Sequence, residues 1–230
     1  MLSVLIDPDK ADNAQLHLLT EHHDFKYVDF VFVGGSLMTG GNSKSCIESI
    51  KNKTDKPIVI FPGSPNQVDE GANGILLLSL LSGRNPDLLI GRHVESAFKL
   101  KRANLEILPT GYILIDGGRT TTVSYISNTS PIPQDKPRIA AATALAGCQL
   151  GHRLIYLDCG SGANQHVATP LIQQVKKEIN VPLIVGGGIK TRFDAQEVFN
   201  AGADIVVVGN HLEKNPQFLS ELVKAKNHFN

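Results

Sequence analysis

Two apolar runs toward the C-terminal end, each closed by glycine, constrain the fold of this chain more than any other feature. They read Val181-Pro182-Leu183-Ile184-Val185-Gly186-Gly187-Gly188-Ile189-Lys190 and, one helix later, Ala203-Asp204-Ile205-Val206-Val207-Val208-Gly209-Asn210. Short unbroken runs of Val, Ile and Leu suit strands covered on both faces, the condition of a parallel sheet. Glycine at the strand ends lets backbone N–H groups approach an anion closely. Between the runs, Thr191 to Ala201 reads as a helix opened by Thr191 and closed by Gly202. Strand, glycine, helix, strand, glycine is the pattern of the phosphate site of (β/α)8 barrels, built after strands seven and eight. Tight turns alone would account for either glycine cluster, but the pair is the more specific signal.

The rest of the chain supports that architecture. Strands are expected at Ser3 to Ile6, Phe30 to Val33, Pro57 to Phe61, Gly74 to Leu78, Tyr112 to Ile115, Arg153 to Leu157, Leu183 to Val185 and Ile205 to Val208. Helical spacing is read in Ala11 to His23, Ser43 to Lys53, Asn85 to Ala103, Pro137 to Leu150, Pro170 to Ile179, Thr191 to Asn200 and Pro216 to Asn227. One crossover lacks a helix, because Pro62-Gly63-Ser64-Pro65 spends the short stretch between Phe61 and Gly74 on turns. The expectation is an α/β protein, a (β/α)8 barrel over residues 1–230 as a single domain, with a thinly covered gap in its wall at the third crossover.

Composition excludes several functions. With 22 basic and 22 acidic residues, the chain carries no electrostatic footprint for nucleic acid. Cys46, Cys148 and Cys159 form neither a CxxC pair nor a dense disulfide framework, which fits a reducing cytoplasm. Leu2 enters a strand without a basic leader region, and no apolar run is long enough to span a membrane. Transient contact with a membrane surface is compatible with this composition.

Barrel sites gather at the C-terminal ends of strands, so the residues that follow each strand are the candidates. Asp7 follows Val4-Leu5-Ile6, and its carboxylate suits a hard cation that bridges phosphate oxygens; a turn acid is the plainer alternative. Asp9 reads as the cap of the helix near Ala11, and Lys10 as a surface or phosphate-steering charge. Ser36 follows Val33-Gly34-Gly35, where its hydroxyl is a second metal ligand or a helix cap. The sixth strand ends in Tyr156-Leu157-Asp158-Cys159-Gly160-Ser161-Gly162-Ala163, which joins an acid or base to N–H and hydroxyl donors. The long loop Gly117 to Pro133 brings Arg119 and three threonines to the same face. The histidines show no HxH or HExxH pattern.

Ile6-Asp7-Pro8-Asp9-Lys10, Val33-Gly34-Gly35-Ser36, Asp116 to Val123, Tyr156 to Ala163, Gly186 to Ile189 and Val208-Gly209-Asn210 together resemble the signature of geranylgeranylglyceryl phosphate synthases along essentially the whole chain. The resemblance implies a modified TIM (β/α)8 barrel with the third helix replaced by extended chain, which matches the gap at the third crossover. It also implies transfer of a prenyl group from a polyprenyl diphosphate to the 3-hydroxyl of sn-glycerol 1-phosphate, with Mg2+ and release of diphosphate. It implies Asp7 and Ser36 as metal ligands and Asp158 as the catalytic base. It further implies Tyr156, Leu157, Asp158, Cys159, Gly160, Ser161 and Gly162 around the glycerol phosphate, and Gly186, Gly187, Gly209 and Asn210 on its phosphate. Lys10 and Arg119 are the expected contacts of the diphosphate.

Two positions depart from the family pattern. Asp158 stands where Glu is usual, which shortens the carboxylate's reach by one methylene. Leu5 stands where the smaller bacterial branch carries Lys, which suggests the larger archaeal and Bacteroidetes-like branch and with it a homo-oligomer, dimer or hexamer. No Asp-Asp-x-x-Asp motif is present, so chain elongation is not expected. The prenyl tail is expected beside the thin wall at Phe61 to Gly74 and the apolar strand Ile75 to Leu81. The competing readings are a barrel isomerase or aldolase acting on a phosphosugar, and a non-catalytic phosphate-binding barrel.

Overall fold

The computed structural model describes residues 1–229. Eight parallel strands close into a barrel in sequence order: β1 Leu2–Ile6, β2 Phe30–Val33, β3 Ile58–Ile60, β4 Gly74–Leu80, β5 Glu106–Leu114, β6 Leu154–Asp158, β7 Leu183–Gly186 and β8 Ile205–Val208. Around them lie α1 Asn13–Thr20, α2 Ser43–Lys51, α3 Arg92–Arg102, α4 Thr122–Ile126, α5 Pro137–Gln149, α6 Thr169–Glu178, α7 Arg192–Asn200, α8 Asn210–Lys214 and α9 Phe218–Phe229. A π-helical segment, Asp87–Gly91, runs directly into α3. All eight expected strands are present. β5 starts six residues earlier than expected, at Glu106 rather than Tyr112, because β4 pairs with it along its whole length from Gly74↔Glu106 to Leu80↔Tyr112. No helix forms between β3 and β4, so the predicted thin wall is real.

Side chains alternate across the strands and divide the core in two. Phe32, Leu76, Tyr112, Leu114, Tyr156, Ile184 and Val207 fill the barrel interior. Val4, Val31, Ile58, Ile113, Leu157, Val185 and Val206 face the helices. Local chemistry sets the helix starts. Asn42 accepts from the Lys44 and Ser45 N–H groups ahead of α2, and Thr191 with Asp194 forms a reciprocal cap on α7. The cap of α1 is Asp12 and not Asp9. Asp9 instead accepts from Thr39 N (2.7 Å), Gly41 N (2.5 Å), Gly40 N (3.3 Å) and Thr39 Oγ1 (3.0 Å), tying the loop after β2 to the loop after β1. The Thr39 and Gly41 N–H groups hold its carboxyl at about 2.

Candidate active site

Two cavities adjoin at the C-terminal mouth of the barrel. The polar one, about 620 Å³, is walled by the ends of β1, β2, β6, β7 and β8 and carries Asp7, Lys10, Ser36, Arg119, Asp158, Gly187, Gly209 and Asn210. The other, about 500 Å³, is mostly apolar and fills the side where the third helix is missing, between Phe61 to Val68, β4 and α3. Gly35, Ser36, Leu37 and Phe61 border both, so the two form one cleft with a polar and an apolar end.

Asp158 ends β6 with its side chain inside the barrel. It is 6% exposed, and its Oδ2 accepts the Tyr112 hydroxyl at 2.6 Å while Oδ1 accepts Gly160 N–H at 2.7 Å. Burial raises its pKa above the ordinary carboxylate value; these two hydrogen bonds oppose that shift without cancelling it. Burial and the Asp158 charge hold the Tyr112 hydroxyl in its protonated, donating form. Phe61 stacks on Tyr156 (centroids 5.4 Å apart), and Tyr112 meets Tyr156 edge-on (5.5 Å), so three rings stand where the cavities join.

At the polar end, the Lys10 ammonium lies 2.7 Å from Asp7 Oδ2, 3.1 Å from Asn210 Oδ1 and 3.9 Å from Glu213 Oε2. Burial opposes the Lys10 charge, but the acids around it outweigh burial and raise its pKa. Glu213 also accepts the Asp7 N–H at 3.2 Å, and burial raises its own pKa. A cluster of oxygen donors that already gathers a cation has the chemistry a hard divalent ion requires. Gly35 leaves the Asp7 carboxylate open, since a Cβ there would sit 3.3 Å from Oδ1.

Most residues expected from sequence converge here. Tyr156, Gly160, Ser161, Gly162, Gly187, Gly209 and Asn210 line the polar cavity with Asp158. Leu157 and Cys159 do not: the period-two alternation turns them outward, and both are buried in the helix-facing core. Gly186 lies beneath the cavity, where its missing side chain makes room for the Tyr156 ring; a Cβ would meet the hydroxyl at 2.6 Å. Sequence reading missed three participants. Tyr112 was visible only as a strand residue, Glu213 lies past the last motif, and Lys190 ends the glycine run after the seventh strand without a role. Lys190 Nζ donates to Asn164 O at 2.9 Å from the cavity wall. The one His and Asp cluster among the described residues with metal-ligand spacing, His22, His23 and Asp24, lies after α1, at the opposite end of the barrel.

A closed parallel barrel with glycine-built loops after strands seven and eight, and a buried carboxylate facing them, defines a (β/α)8 enzyme of phosphorylated substrates. The chain belongs to the PcrB family, whose model matches residues 3–226. It is 50% identical to a geranylgeranylglyceryl phosphate synthase of Spirosoma linguale over 228 residues, 99% of this chain and 92% of the relative. The Chitinophaga pinensis protein of the same name is 48% identical over 223 residues, 97% of this chain and 88% of that one. The solved (S)-3-O-geranylgeranylglyceryl phosphate synthase of Thermoplasma acidophilum, in complex with its substrate sn-glycerol-1-phosphate, matches with TM-score 0.91 at 33% identity, covering 98% of this chain and 92% of that chain.

Proposed function

We propose that this chain is a geranylgeranylglyceryl phosphate synthase, joining a polyprenyl diphosphate to the 3-hydroxyl of sn-glycerol 1-phosphate through an ether bond. The observation that carries this reading is the single cleft with a cation-gathering polar end, an apolar end and the buried Tyr112–Asp158 pair between them. A phosphosugar isomerase or aldolase has no use for the apolar end, and a non-catalytic barrel has none for a buried carboxylate.

The glycerol phosphate is read against the backbone N–H groups around Gly187 and Gly209, with Ser161 and Gly162 across from them. This puts its free hydroxyl toward Asp158. The prenyl tail runs past Phe61 into the apolar cavity, which leaves the diphosphate at the Lys10 and Arg119 side. The C1–oxygen bond of the allylic diphosphate breaks as the glycerol oxygen bonds to C1. The hydroxyl proton passes to Asp158, and diphosphate leaves. The aromatic faces of Phe61 and Tyr156 border the carbon that becomes electron-poor, an arrangement that favours positive charge. Lys10 and Arg119 neutralise charge on the leaving group. Asp7 and Glu213, with Ser36 on the wall of the same cavity, would hold Mg2+. Bound there, the ion supplies Lewis-acid neutralisation of the diphosphate oxygens.

The test is incubation of the purified protein with Mg2+, labelled glycerol 1-phosphate and prenyl diphosphates of increasing length, followed by organic extraction. Labelled prenyl glyceryl ether is expected, with the preferred donor reporting the depth of the apolar cavity. Absence of ether from every donor, with glycerol 1-phosphate still bound, would overturn the transferase reading. The kinship also supports a homo-oligomer, a dimer or hexamer, which light scattering on the same sample measures.

A further inference from the structure

The outer face of α3 is not accounted for by the cleft. On its inner side, Ser96 and Leu100 are buried and line the apolar cavity together with His93. On the opposite side, Ile90, Val94 and Phe98 recur at a four-residue spacing and are 59%, 67% and 75% exposed. Lys101 and Arg102 follow Phe98 by three and four residues, so they continue the same stripe, and among the described residues neither has an ion-pair partner. From Arg84 to Arg102 the chain carries five cations (Arg84, Arg92, Lys99, Lys101, Arg102) against two acids (Asp87, Glu95), although the whole chain is charge-neutral. Exposed apolar residues also gather around the same cavity on other elements, with Leu37 and Ile126 on its lining and Tyr125 beside Ile126.

We propose that α3 with its preceding π-helical segment is a docking face for an anionic lipid bilayer, seating the open apolar end of the cleft on the membrane. An apolar stripe continued by unpaired cations has the complementarity an anionic bilayer offers: acyl chains for Val94 and Phe98, phosphate headgroups for Lys101 and Arg102. The helix that docks is also the wall of the cavity, so a lipid-borne donor enters without its tail crossing water. This use of the face rests on the transferase reading above, while the binding itself does not.

The test is sedimentation of the full-length protein with vesicles of phosphatidylglycerol and phosphatidylcholine in equal parts, and with vesicles of phosphatidylcholine alone. The wild type is expected to bind the anionic vesicles in preference, less so at high salt. Val94→Asp/Phe98→Asp and, separately, Lys101→Gln/Arg102→Gln are expected to weaken that binding by roughly tenfold or more. Both variants should keep the wild-type mass by light scattering and the wild-type turnover of a short, water-soluble prenyl diphosphate. No preference for anionic vesicles in the wild type, or undiminished binding in both variants, would overturn the proposal. So would a fall in mass on Val94→Asp/Phe98→Asp, which would make this face an interface between copies. Vesicle binding with no ether formed from any donor would sink the transferase reading and leave the docking face standing.

Discussion

The Tyr112 hydroxyl donates to Asp158 Oδ2 across 2.6 Å, from one neighbouring strand to the next inside the barrel mouth. Burial raises the Asp158 pKa, and this bond, with Gly160 N–H, is what holds the rise in check. In the proposed mechanism Asp158 acts as carboxylate, so turnover should rise with pH along a limb set above the ordinary carboxylate value. Tyr112→Phe removes a hydrogen-bond donor that stabilises the anion, so the limb should move to still higher pH, and turnover on the plateau should fall by roughly tenfold, the scale of one charged hydrogen bond. A pH profile of both proteins tests this; an unshifted limb would mean that Tyr112 does not tune the base.

Asp158→Asn separates catalysis from folding. A carboxyl whose folded pKa is raised binds its proton more tightly folded than unfolded, so its penalty on stability appears as pH rises from the unfolded value through the folded one. Above that window the wild type bears the cost of a buried anion and the Asn variant does not. Turnover should fall by about two to four orders of magnitude with loss of the proposed general base. The thermal midpoint at neutral pH should be equal to or above that of wild type. A variant that loses activity by unfolding would contradict this account.

The sequence made the barrel legible because its strands are short apolar runs punctuated by glycine and proline, and because one crossover was too short for a helix. The site was legible wherever a motif ends a strand, as with Asp7, Asp158 and Gly187. It was less so where side-chain direction decides. Leu157 and Cys159 shared a motif with Asp158, yet the pleat sends them into the helix layer. Asp9 looked like the cap of its own helix, but its carboxylate is taken by Thr39 to Gly41, a contact between loops that no local spacing announces. Tyr112 reaches the site through the pairing of β5 with β6, and Glu213 through barrel closure, which pairs β8 with β1 and brings α8 beside the Asp7 loop.

Glu213 should matter to the cation although it lies outside every strand-end motif. Its carboxylate accepts the Asp7 N–H and faces the Lys10 ammonium, so it both holds the loop and adds negative charge to the cluster. Glu213→Gln should weaken Mn2+ binding, read by electron paramagnetic resonance, by roughly tenfold, and Asp7→Asn should weaken it further. Chelation should abolish wild-type turnover, and added Mg2+ should restore it. Unchanged Mn2+ affinity in both variants would place the divalent ion elsewhere.

Gly187 is where backbone geometry and the base meet most closely. Its φ is +78°, a left-handed conformation that side chains disfavour, and a Cβ there would lie 2.6 Å from Asp158 Oδ1 and 2.7 Å from Gly160 N. Gly187→Ala therefore strains the turn and pushes against the one carboxylate oxygen fixed by Gly160. It should destabilise the fold by about 1–3 kcal/mol and lower turnover beyond what the lost stability explains. Gly151→Ala is the matched control: its φ is +95°, but a Cβ there meets nothing within 4 Å. That variant should show a comparable loss of thermal stability with turnover intact at temperatures where it remains folded. Equal losses of turnover in the two variants would mean that Gly187 serves the turn alone and not the position of Asp158.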